Sequence, residues 1–145
     1  MTENIYSRIE LAKEQLELAL ALFLDNASYA SAITLAGAAE EVFGKGLSRQ
    51  GKQSMFEWKL EQMNVVSSLL YGNQLSKKDF SAKENQIRNM LKHLDSKEDV
   101  TFKADLEESA CWLIVRACEN ASRLGIDISR EREFNQWFLK NIIGL

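Results

Sequence analysis

Proline is absent from the 145 residues, histidine occurs once and cysteine twice. Without proline no position forbids a helix from continuing, so helix ends must be set by glycine and by polar clusters. Two cysteines are too few for the disulfide framework of a small secreted domain. Cys111 and Cys118 lie seven residues apart in a helical pattern, which puts their α-carbons roughly 10 Å apart and out of disulfide reach. They read as small buried apolar residues. The lone histidine, His93, has no second His or Cys at ligand spacing, which excludes the common zinc arrangements. Met90 stands where the Glu-x-x-His of a di-iron helical bundle needs its glutamate. Neither a metal nor a cofactor is expected. Long apolar runs are missing too. The most apolar stretch, Leu16 to Leu24, is too short to span a bilayer and carries Glu17, so no membrane association is expected. The opening MTENIYSRIE lacks the basic start and apolar run of a signal peptide, which makes a cytoplasmic location the expectation.

What is present is the composition of a soluble globular protein, 46% hydrophobic and 27% charged. A chain of this length forms a single domain, 1–145, able to bury about 70% of the surface its unfolded form exposes. Apolar residues recur at helical rather than alternating spacing, so the fold class is all-α, an antiparallel bundle of about five to six helices. The first helix is expected from about Asn4 to Asp25, with Ile5, Ile9, Ala12, Leu16, Ala19 and Phe23 on one stripe. The second runs from Ala27 or Ser28 to Arg49; its ITLAGAAEEVFGKGL is rich in small residues that let backbones approach closely, which makes it central. Ser54 and Glu57 stand in capping-box spacing and open a third helix carrying Phe56, Leu60, Met63 and Leu70 up to Gly72. After the polar YGNQLSKK, a fourth is expected over Lys78 to Leu94 with Phe80, Ile87, Met90, Leu91 and Leu94 on one face. A fifth spans about Ala104 to Leu124, and a short sixth follows Ser129.

The fourth helix holds RNMLKH, Arg88 to His93. At 100° per residue from Arg88, Lys92 falls at about 40°, Asn89 at about 100° and His93 at about 140°, opposite the apolar arc. A guanidinium, an ammonium, an amide and an imidazole thus share one face, a set that suits a phosphate and a proton transfer. From Lys77 to Lys97 there are six basic residues against three acidic ones, a local +3 within a total of −3, so the remainder carries −6. That balance opposes indiscriminate nucleic-acid binding and leaves room for one focused anion site. The plainer reading of the same residues is structural: Lys92 and His93 in the last turn complement the helix dipole, and Arg88 is solvated.

RNMLKHL on the fourth helix, following SAITLAGAAEEVFGKGL on the second, resembles the HEPN (higher eukaryotes and prokaryotes nucleotide-binding) superfamily, whose motif is Arg, a polar residue, a few more positions, then His. Here these are Arg88, Asn89 and, after four intervening residues, His93. The resemblance implies a homodimer in which two motifs meet to bind RNA or a nucleotide, as a metal-independent endoribonuclease of a toxin–antitoxin or defence system. His93 would then exchange protons with the RNA 2′-hydroxyl and the leaving oxygen, and Arg88 would stabilise charge on the phosphoryl group, these two being the catalytic candidates. Lys92 or Asn89 would orient the phosphate. The alternative it leaves is a non-catalytic helical interaction module partnering a nucleotidyltransferase or an antitoxin.

Three further residues border the apolar stripes of their helices. Glu40 falls between Leu47 and Ile33 on the second helix wheel, so its carboxylate is partly buried and needs a partner: Arg88 or His93 on the functional reading, Arg116 or another structural cation on the other. Arg116 and Asn120, on the fifth helix, either line the same cleft as binding residues or make structural hydrogen bonds. Glu41 falls on the polar side with Lys45 and is expected to be solvated. Trp112 points off the main stripe and must be covered by the sixth helix or by another protomer.

Overall fold

The computed structural model describes residues 1–145, and its regular structure is entirely helical. Ser7 accepts a hydrogen bond from the Glu10 N–H and so starts α1, Arg8–Asn26, later than the apolar stripe alone suggests. Ile5 accordingly lies outside the helix, fully exposed. Helix α2 is Tyr29–Arg49, and α3 is Met55–Tyr71, opened by the expected Ser54/Glu57 capping box and closed at Gly72, whose φ of 69° is the left-handed conformation that glycine adopts without strain. The segment expected as one fourth helix is two. Helix α4, Lys77–Glu84, and α5, Gln86–Lys92, meet at Asn85, whose φ and ψ of −102° and 8° break the run while its side chain bonds back to the Ser81 hydroxyl. Helix α6 is Leu106–Arg123, capped by Asp105, and α7 is Glu131–Phe138, which runs into a wider turn over Leu139–Ile143. No helix is long and apolar enough to cross a membrane.

The core belongs to three of these helices. α2 packs along both α1 and α6, and the buried cluster draws Leu16, Leu20 and Phe23 from α1, Ile33 and Phe43 from α2, and Cys111, Ile114 and Cys118 from α6. Small residues make the close approach possible: Ala12 and Ala19 on α1, Ala32, Ala36 and Ala39 on α2, and Ala110, Ala117 and Ala121 on α6 are all buried. Both cysteines are free in this layer, and burial pushes the Cys111 thiol up to about 11 and the Cys118 thiol higher still. They pack as apolar groups. At one end α7 closes the core with an aromatic cluster in which Phe23 meets Phe134 at 5.5 Å and Trp137 at 4.7 Å between ring centres. Trp112 lies edge to face on Phe138 at 5.4 Å, so the C-terminal helix covers one side of it and leaves the rest in solvent.

Helices α3, α4 and α5 supply no member of that central cluster and form an outer shell, held partly by the Phe56–Phe80 ring pair at 5.2 Å. In the second half of α3 the expected stripe is turned outward: Met63 and Leu70 are exposed and Ser67 is the buried residue. The cause is the returning chain. Ser67 donates to the Asn73 side-chain oxygen at 2.9 Å, and the Leu75 N–H donates to the Asn64 side-chain oxygen at 2.6 Å, so residues 72–76 are tied to the polar side of the helix.

One residue joins shell to core. Asn120 on α6 is fully buried; its oxygen accepts from the Met55 N–H at 2.9 Å and its amide donates to the Glu40 carbonyl at 3.2 Å. Asn120→Ala strands both backbone groups away from water, and we expect a loss of roughly 2–5 kcal/mol of stability, readable as a lower urea midpoint.

Candidate functional site

The shell helices leave a cleft of about 510 Å³ against α2. Its wall on the α2 side is Glu40, Glu41, Gly44 and Lys45; Ser54, Phe56 and Glu57 come from the start of α3; Lys77 and Ser81 from α4; and Arg88, Asn89 and Lys92 from α5. Four cations and three carboxylates line it. The break at Asn85 matters here, because it directs α5 onto α2 instead of letting the fourth segment continue as one straight rod.

Arg88 is the residue most tightly fitted. Its side chain crosses α2 at Gly37, where an added β-carbon would stand 2.7 Å from Nε and 2.8 Å from Cδ. That glycine is the gap the guanidinium occupies. Nη2 donates to Glu41 Oε2 at 2.8 Å, while Nε is buried without a partner. The side chain is 11% exposed against 49% for Glu41, so Arg88 is held in the protein and Glu41 reaches it from the solvent side. Lys45 holds the other oxygen of Glu41 at 3.1 Å. The two hydrogen bonds, Arg88 first, keep the Glu41 carboxyl below its ordinary value.

Glu40 lies deeper. Its nearest cation is Arg116, Nε to Oε1 at 3.7 Å, too far for a hydrogen bond, and its pKa is raised because burial outweighs the attraction of Arg116 and Arg88. Arg116 instead gives its Nη1 hydrogen bond to Glu84 at 2.5 Å, and Lys59 bonds the same carboxylate at 2.8 Å. This second ion network lies on the far side of α5, beside Trp112 and Ser109, in a smaller cavity of about 280 Å³ that shares only Asn85 and Arg88 with the cleft.

The structure therefore brings together Arg88, Asn89, Lys92 and Glu40 around one cleft. Arg116 lies in the neighbouring cavity, and Asn120 is a strut beneath the floor. His93 is not on the cleft wall: the helix ends at Lys92, and His93 stands beyond it with φ and ψ of −128° and 139°, exposed. The shared face expected of all four motif residues thus holds for three of them. Two contributors escaped the sequence reading. Glu41 lies on the polar side with Lys45 and is half exposed, as its place on the wheel implies, but it is also the partner of Arg88; Gly37 stands out in the sequence only as a small residue. A glycine three and four residues ahead of a Glu-Glu pair inside a helix was the available signal, since helix interiors otherwise disfavour it. No cluster of three or more His, Cys, Asp or Glu side chains is gathered closely enough to hold a metal ion.

No family model, no curated protein and no solved structure matches the chain.

The raised pKa of Glu40 gives a pH signature. A carboxyl whose folded pKa lies above its unfolded value adds stability that is complete below the unfolded pKa, about 4.3, and is lost as pH rises through the folded value. Glu40→Gln removes that dependence. Urea unfolding of both proteins between pH 4 and 8 should show the stability difference moving in favour of the glutamine variant as pH rises; a difference independent of pH would mean that burial does not raise the Glu40 pKa.

Proposed function

We propose that this is a HEPN-like domain whose α2/α5 cleft takes the phosphate of a nucleotide or an RNA strand. The observation that carries the reading is the convergence of Lys45, Lys77, Arg88 and Lys92, from three separate helices, on one cleft of a chain whose net charge is −3. Against the three carboxylates of the same lining these cations leave a small positive excess in an acidic chain, which suits one phosphate group better than a long duplex. Arg88 supplies planar donors and Asn89 an amide; Lys92 and Lys77 act as point charges.

The endoribonuclease version adds His93. An RNA 2′-hydroxyl attacking its adjacent phosphate needs a group that takes one proton and gives another, a contribution of about 10²–10⁴ in rate. The imidazole stands one residue past the Lys92 rim, so it serves a strand that leaves the cleft at that end, or the cleft of a second protomer. Incubating a fluorescent oligoribonucleotide with wild-type, Lys92→Ala and His93→Ala proteins in the presence of chelator separates binding from cleavage. Lys92→Ala should weaken binding and reduce the slope of log affinity against log salt by about 0.7. His93→Ala should bind as wild type and abolish cleavage. Equal cleavage by wild type and His93→Ala would remove the histidine from the mechanism, and salt-independent binding would remove the cleft.

A second reading, as a helical interaction module, is favoured by α3. Residues 62–76 carry no charge in a chain that is 27% charged, and Leu69, Leu70 and Tyr71 are 80%, 67% and 76% exposed. Depletion of charge around exposed apolar side chains marks the centre of an interface. A second copy is the occupant that fits: an uncharged patch meets itself about a two-fold axis without like-charge repulsion, and antiparallel α3 helices keep the charged first turns, Glu57, Lys59 and Glu61, at opposite ends. Wild-type protein should sediment as a dimer at about 100 µM and Leu69→Asp as a folded monomer. A monomeric wild type would assign the face to a different protein, such as a nucleotidyltransferase or an antitoxin.

A further inference from the structure

Of the three carboxylates lining the cleft, Glu41 is the one that is hydrogen-bonded to its cations. Glu41 lies between Arg88, at 2.8 Å, and Lys45, at 3.1 Å, so two of the four cations lining the cleft already share one carboxylate. Lys77 and Lys92 take part in no ion pair. Glu41 stands where an incoming phosphate must go. The Nε edge of the guanidinium is buried over Gly37, so an anion arriving from solvent meets the Nη edge, and there the Glu41 carboxylate already accepts from Nη2. Carboxylate and phosphate compete for the same planar donors, and each repels the other.

Glu41 differs from its neighbour Glu40 in being able to leave. Glu40 is buried, whereas Glu41 is about half exposed and can turn into water with no desolvation cost while Lys45, one helical turn away, still holds it. Arg88 cannot follow, because it is packed across α2.

We propose that Glu41 is an internal competitor that occupies Arg88 in the empty cleft, is displaced by a bound phosphate group, and thereby sets how tightly that group is held. The proposal rests on reading the cleft as a phosphate site and adds its regulation. Glu41 stays ionised through neutral pH because its two cations depress its pKa, so the competition operates throughout the range in which a phosphate ester is charged.

The probe is inorganic pyrophosphate, titrated calorimetrically into wild type, Glu41→Gln, Lys92→Ala and the double variant. Glu41→Gln keeps an oxygen that can accept from Arg88 and should bind pyrophosphate at least fivefold more tightly than wild type; Lys92→Ala should weaken binding in either background. Glu41→Ala, a favourable residue at a half-exposed helix position, should give the same gain, and serves if the glutamine variant fails to fold. Equal or weaker binding by the Glu41 variants, with wild type binding in a Lys92-dependent way, overturns the competitor and leaves the phosphate site standing, Glu41 then being a residue that orients Arg88. No binding by any of the proteins, or binding indifferent to Lys92, overturns the site and the competitor together.

Discussion

The constraint on which the rest depends is the close approach of α2 to α1 and α6. Alanines on all three helices remove the bulk that would otherwise hold the axes apart, and the interface gains dispersion contacts where it lacks large side chains. Once α2 is central and flanked on two sides, only its remaining strip can meet the shell. That strip carries Gly37, Glu40, Glu41, Gly44 and Lys45, and so a short run of helix supplies the gap for Arg88, the anion that meets it and the cation that flanks it. The chemistry of the cleft is a consequence of how the core is packed.

Charged groups beneath the shell fall into two networks separated by α5. One, Arg88–Glu41–Lys45, is open to solvent through Glu41; the other, Arg116–Glu84–Lys59 with Glu40 close by, is more enclosed. Enclosed ion pairs add little net stability, because desolvation offsets their attraction, yet each partner becomes costly to remove once the other is buried. The enclosed network therefore acts as a registration device: Lys59 from α3, Glu84 from α4 and Arg116 from α6 fix how the shell sits on the core. The open one meets water through the half-exposed Glu41 carboxylate. Arg88 is thus packed against α2 while its carboxylate partner is open to solvent.

A chain without proline still divides its helices firmly. Ser7, Ser54, Ser76 and Asp105 each accept a backbone N–H three residues on, satisfying donors that a helix start leaves free. At Asn85 a side chain competing for local backbone and hydroxyl partners divides what apolar spacing presents as one rod. The start at Ser54 lies where its capping-box spacing puts it, and the start at Asp105 within a residue or two of the expected one, because a cap is a local interaction written in a few adjacent residues. Asn85 was not legible, since its back-bond to Ser81 is possible in an unbroken helix as well. His93 fell outside the cleft for the same reason: the helical wheel continued past Lys92, where the chain does not.

Sequence by itself determined the all-helical class, the three core stripes, the burial of Glu40 and the gathering of basic residues between Lys77 and Lys97, all of which follow from periodicity and composition within single segments. It placed Arg88, Asn89 and Lys92 on one face. Tertiary structure alone decided that Arg88 is seated over Gly37, that Glu41 rather than Glu40 is its hydrogen-bond partner, that Arg116 answers to Glu84, and that the apolar side of α3 looks outward. The physical reason is that a helical wheel reports direction about one axis, whereas an ion pair between residues 47 positions apart depends on where two axes cross and on which side chain is short enough to let them.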